Sequence, residues 1–305
     1  MLSLDEIKEH FFEVYVRFYF KCSRKLASKK AWFSKEQCDA LFAALLIDDK
    51  IDLGVSLPDA VHVEYSQEQL INCYKISYQL WQEGLNRKLL SQMIDKILLQ
   101  DKLNDHDQFA YYCMRAKIKH LRFAFVMFDN RHRYPRMFHW MTAVMGYMQD
   151  VLKSPQNNSI KLVAWLAKLF LTKPIYAIAN KEFDKFVPST PENFRLYLAE
   201  GINFIASNLV KDKVTSHEFH EVRRVISRLV AFYDCMYILY PSDDQHAVLL
   251  YLSTINGLMG SLHDDLIVAK LNKTQNYYKD TFAMPVDIKE RLVAYVDFYK
   301  SSASA

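Results

Sequence analysis

The sequence predicts an all-α protein, a helical bundle with little sheet, on three observations. Glycine numbers only 6 and proline 8 in 305 residues, whereas hairpin turns depend on residues that take positive φ. Hydrophobic residues make up 51% of the chain, enough for a sizeable packed core and too many for disorder. Apolar residues recur with helical period over long segments, and the prolines fall in the gaps. Aromatics at 14% suit helix interfaces filled by large rings.

Taken in order, residues 5–25 read as an aromatic-rich helix. Ser34 opens the next through Ser-Lys-Glu-Gln, a capping box in which Gln37 stands three residues on. Residues 49–63, with Gly54 and Pro58, read as a connection. Residues 66–83 and 86–99 read as a helix pair broken at Gly84. The polar run 100–107 marks the clearest internal boundary. Beyond it, helices are expected over 108–128, 136–153, 158–171, 191–209, 216–239, 244–270 and 286–299. Tyr134-Pro135, Ser154-Pro155, Pro188 to Pro191, Tyr240-Pro241 and Pro285 separate them.

A net charge of +4 permits an anionic partner without demanding one. Cys22, Cys38, Cys73, Cys113 and Cys235 are odd in number and form no CxxC pair, which favours buried thiols in a reducing, cytoplasmic setting. The first residues lack the layout of a signal peptide. The longest apolar stretch, 162–179, is interrupted by Lys168, Lys173 and Pro174, so no membrane span is expected.

One pattern occurs twice. YYCMRAKIKHLRFAFVMF at 111–128 aligns with FHEVRRVISRLVAFYDCM at 219–236. Each leads through a Tyr-Pro connection into a second helix ending in a related tail, MGYMQD at 145–150 and MGSLHD at 259–264, which reads as an internal duplication. At 3.6 residues per turn, Tyr112, Arg115, Lys119 and Arg122 share one stripe beside an apolar face of Met114, Ile118, Leu121 and Phe125. In the second copy His220, Arg223, Ser227 and Val230 take the stripe, and Val222, Ile226, Leu229 and Tyr233 the apolar face. A cationic row beside a core-facing row belongs at the edge of a helix interface. Two such rows facing each other would make a basic groove. The plain alternative is the solvated face of an amphipathic helix, but acidic residues are missing from 114–127, whereas solvated faces usually mix signs.

These residues resemble the conserved histidine α-helical domain (CHAD) family, whose pattern is a helix reading roughly His-x-Leu-Arg-x-x-x-(Arg/Lys)-Arg-Leu-Arg, then a helix ending Leu-Gly-x-Leu-x-Asp, present twice. The second copy matches through His220, Val222, Arg223, Arg228 and Leu229, then Met259, Gly260, Leu262 and Asp264. The first matches through Met114, Arg115, Lys119, Leu121 and Arg122, then Met145, Gly146, Met148 and Asp150. The departures are Tyr112 in place of the first histidine, His120 for an arginine, and Ser227 and Val230 for two cations. The resemblance implies a bundle of two pseudo-twofold-related helical repeats, here 106–210 and 211–300, after an N-terminal helical region, 1–105, of unknown role. It also implies a non-catalytic binder of inorganic polyphosphate or a related polyanion. The residues expected to carry it are Arg115, Lys119, Arg122, His220, Arg223, Arg228 and, less directly, Arg224.

Two other readings stand beside this one. A helical scaffold with an eroded polyanion site would use a protein partner, with the aromatic N-terminal region (Phe11, Phe12, Tyr15, Phe18, Tyr19 and Phe20) as its interface. A metal-dependent phosphohydrolase would use the His263-Asp264 pair with His217, His220 and His246, but the first copy reads Gln149-Asp150, so the histidine is not repeated. A phosphate-gripping glycine loop, zinc-ligand spacing and a nucleophile elbow are all missing, no named motif supports nucleic-acid binding, and no cofactor is expected.

Overall fold

A computed structural model describes residues 31–47, 49–60, 63–100, 102–153, 160–271 and 274–304. The expected first helix, its aromatic row, and the cations Arg17, Lys21, Arg24 and Lys25 lie outside them. Eleven helices follow: α1 (Lys35–Leu46), α2 (Gln67–Gly84), α3 (Arg87–Gln100), α4 (Asp105–Phe128), α5 (Arg136–Lys153), α6 (Ile160–Phe170), α7 (Lys173–Lys181), α8 (Pro191–Leu209), α9 (Ser216–Leu239), α10 (Asp243–Leu271) and α11 (Val286–Ser304). The protein is all-α. Among the described residues a two-stranded ladder pairs β1 (Val214–Thr215) with β2 (Thr281–Phe282) antiparallel, Val214 opposite Phe282.

Local chemistry sets the helix starts. Ser34 Oγ accepts from Gln37 N–H while Gln37 Oε1 accepts from Ser34 N–H, the reciprocal box the sequence spells out. Ser66 and Gln69 repeat it. α4 begins at Asp105, earlier than the polar composition suggests, because Asn104 Oδ1 accepts from Asp107 N–H at 2.7 Å. Thr215 and Glu218 close a full capping box on α9, and Lys211 beside Glu218 holds that carboxyl down at about 2. The sequence reading leaves α7 out: it is short, and Pro174 stands in its first turn, where a proline is tolerated.

Tertiary contacts gather the described residues into two compact units whose segments alternate along the chain. The first contains the described residues up to Phe42, with Tyr74–Val126 and Arg133–Phe186. Its core is aromatic: Tyr74 stacks on Phe186 at 3.5 Å between ring centres, and Phe183 meets Trp81, Phe125 and Phe138. The second contains Ala43–Cys73, Met127–His132 and Val187–Ala305. Here α9 and α10 pack along their length, α8 and α11 pack beside them, and Tyr65, Phe128, Phe194 and Phe232 form the ring cluster. Cys38, Cys73, Cys113 and Cys235 are all buried free thiols. Among the described residues no single helix is long and apolar enough to cross a membrane.

Candidate functional site

The two apolar faces fold inward as their period requires. Met114, Ile118, Leu121 and Phe125 in the first unit, and Val222, Ile226, Leu229 and Tyr233 in the second, are all buried. The adjoining cations Arg115, Lys119, Arg122, Arg223, Arg224 and Arg228 are half-buried, as a row at an interface edge should be.

In the first unit Arg115 lies across α5. A Cβ on Gly146 would stand 3.0 Å from its Nη2 and 3.8 Å from its Cζ, so the glycine forms a notch for the guanidinium. Arg115 Nη1 donates to Gln149 Oε1 at 3.0 Å, and its buried Nε has no hydrogen-bond partner. Among the described residues no carboxylate forms a salt bridge with it. Tyr111 Oη, one turn back, donates to Met145 O and pins α4 to α5 beside the notch. Burial pushes that hydroxyl up, against the pull of Arg115, with Asp150 adding to the rise. Lys119 and Arg122 each stand 5.4 Å from the Phe123 ring centre, and Arg122 also stands 5.1 Å from Tyr134, which stacks on His139.

In the second unit Arg223 takes the matching seat on α10, with Nη2 2.8 Å and Cζ 3.5 Å from the position of a Cβ on Gly260. The stripe then turns inward. Ser227 is buried and donates to Asn256 Oδ1 at 2.7 Å, and Val230 is buried as well. A cation at either buried position would be desolvated, which accounts for the uncharged residues at both. Arg224 is matched by Glu221 at 2.5 Å. Arg228 donates from Nη1 to Tyr197 Oη at 2.7 Å and from Nε to Arg224 O at 3.0 Å. Arg228 alone of the seven predicted residues lines the second unit's cavity, which also takes in Glu200 and Glu221.

His220 stacks on His263 with ring centres 4.7 Å apart. Burial pushes His220 down to about 3, and the nearby His263, Arg224, Arg223 and His217 add to the effect. The residue expected to act as a cation is therefore neutral near pH 7. His263 Nδ1 lies 3.4 Å from Asp264 Oδ1, while His246 stacks on Tyr237 instead. Among the described residues no group of three His, Cys, Asp or Glu side chains is arranged to hold a metal ion.

A neutral buried histidine has a consequence for stability. Between its ordinary value of 6.5 and about 3, His220 carries more protons in the unfolded chain than in the folded one. Folding stability therefore falls as pH drops through that window, by up to about 1.4 kcal/mol per pH unit. His220→Phe, which keeps a ring against His263, should flatten the loss in urea melts between pH 6 and 4. An unchanged slope would remove His220 as its source.

In the loop after α4, Arg131 is held by a carboxylate. Asp129, fully buried, accepts from Arg131 Nε and Nη2, both at 2.7 Å, and from Val187 N–H. Lys117 is a residue the sequence reading passes over. It is 2% exposed, its Nζ lies 3.9 Å from the Phe42 ring centre, and its chain packs over Gly84. Burial pushes it down to about 8, although Cys113, Asp39, Glu83 and Cys38 pull the other way. Its helix neighbours Cys113, His120, Leu121 and Ala124 are all buried, and that register was its signal in the sequence.

Comparison with protein-family models, with curated proteins and with solved structures finds no match for this chain.

Proposed function

We propose that this protein is a non-catalytic binder of inorganic polyphosphate or a related polyanion, as the resemblance to the CHAD family suggests. Arg115, Lys119 and Arg122 in the first unit carry the contacts; Arg223 in the second unit is a separate candidate, and His220, neutral near pH 7, adds no charge. The observation that carries the reading is Arg115: a half-buried guanidinium seated on a glycine notch, with a neutral amide as its acceptor and, among the described residues, no salt bridge. Desolvated guanidinium groups bind phosphate oxygens in a directed, two-pronged way. Lys119 and Arg122, flanking Phe123, extend the same row. Arg224, matched by Glu221, is a supporting residue in this scheme.

Isothermal titration with polyphosphate of defined length tests the proposal. Affinity should fall steeply and log-linearly with salt, as counterion release requires. Arg115→Glu and Arg223→Glu should each weaken binding by about tenfold or more, a loss of about 1.4 kcal/mol. Arg224→Gln should change it little. No binding at low salt would overturn the reading.

A protein-docking scaffold is the second reading, and one observation favours it. Leu162, Trp165 and Leu169, spaced along α6, are 64%, 58% and 38% exposed. An apolar row of this kind is a common feature of contact surfaces.

A further inference from the structure

The second unit contains a cavity of about 250 Å³ between α8 and α9, closed on one side by Met127. Leu198 and Phe204 from α8 and Val225 and Leu229 from α9 give it apolar walls. The helices run close here: a Cβ on Gly201 would stand 3.2 Å from Val225 Cγ1.

Three charged residues reach the cavity, and their partners decide what it selects. Glu221 is committed to Arg224 at 2.5 Å. Glu200 is exposed, so water screens it. Arg228 is half-buried and, among the described residues, forms no salt bridge. It uses Nε on Arg224 O and Nη1 on Tyr197 Oη, and among the described residues Nη2 has no protein acceptor. The desolvated charge at this apolar cavity is therefore positive.

The anchor is also held in place. His132 stacks on the Tyr197 ring at 4.2 Å and 10°. His132 itself sits at φ 48, and its Nε2 accepts from Asn193 Nδ2 at 3.1 Å. A ring clamped on one face gives Arg228 a fixed second point of attachment, so less freedom is lost when a ligand arrives.

We propose that this cavity is a binding site for a small monocarboxylate with an apolar body, the carboxylate on Arg228 and the body against Leu198, Val225 and Leu229. Size supports the class. An apolar cavity of about 150 Å³ admits benzene, so one of this volume suits a body of about ten non-hydrogen atoms. Polyphosphate is excluded from it by length and by the want of an apolar part, so this site stands apart from the one proposed above.

Calorimetry on the full chain with 4-phenylbutanoate and with its uncharged amide tests the site. The carboxylate should bind about tenfold or more tighter than the amide. Arg228→Gln should erase that difference while leaving amide binding in place. Gly201→Leu, which places a side chain at the cavity wall, should abolish binding of both and serves as the test if the arginine variant does not fold. Equal affinity for the two compounds, no binding at millimolar concentration, or carboxylate binding unchanged in either variant would overturn the proposal.

Discussion

Replacing Gly257 with alanine should destabilise the protein by about 2 kcal/mol and lower its Tm by about 3 °C. The new Cβ would stand 2.2 Å from Asp49 O, 3.0 Å from Asp49 C and 2.7 Å from Ile51 Cγ1. Two of those atoms are backbone, and the backbone is tethered. Thr254, one turn earlier on α10, accepts from Asp52 N–H and donates to Asp52 O, both at 3.1 Å. The segment cannot retreat without breaking these bonds. Overpacking of this kind costs about 3 kcal/mol, and the higher helix propensity of alanine offsets about 1 kcal/mol of it. Gly260→Ala is the control. It meets only the guanidinium of Arg223, a flexible end, so the propensity gain should nearly cancel the cost. Thermal melts that rank the two variants equally would show that the 49–52 segment yields.

Lys117→Met should stabilise the protein by up to about 3 kcal/mol at pH 7. The sign follows from the two titration points. Unfolded, the ammonium loses its proton near 10.5; folded, burial brings that down to about 8. Below pH 8 the full cost of holding a buried charge is present, and it disappears as pH rises towards 10.5. Methionine is close in length and shape and carries no charge. Chemical denaturation of both proteins from pH 7 to pH 10.5 checks this: the variant's advantage should shrink across that range. A destabilised variant would mean that the ammonium contributes more through the Phe42 ring and its other partners than burial costs.

The frame was legible because helical period and capping are local signals. The buried faces of α4 and α9 and the reciprocal box at Ser34 and Gln37 follow from residues three or four apart. What was hidden is long-range or against type. Arg228 meets Tyr197, 31 residues away, a pairing no local pattern encodes. Lys117 reads as solvated by composition and is buried by register. The neutrality of His220 comes from its burial in the fold, with the groups packed around it adding to the effect. The stripe itself was visible in the sequence. Its inward turn at Ser227 and Val230 depends on how α9 meets α10.

The arginine seats of Arg115 on Gly146 and of Arg223 on Gly260 carry a consequence for divergence. A side chain at either glycine displaces a guanidinium, and loss of either arginine leaves a hollow over bare helix backbone. Each pair is thus a coupled trait. In a double-mutant cycle, Gly146→Ala should cost less in an Arg115→Ala background than in the parent, by about 0.5 kcal/mol or more. Chains descended from the same ancestor should therefore change the two positions together. A sequence search keyed to that joint change, 31 residues apart for Arg115 and Gly146 and 37 for Arg223 and Gly260, would not depend on the other cations being kept.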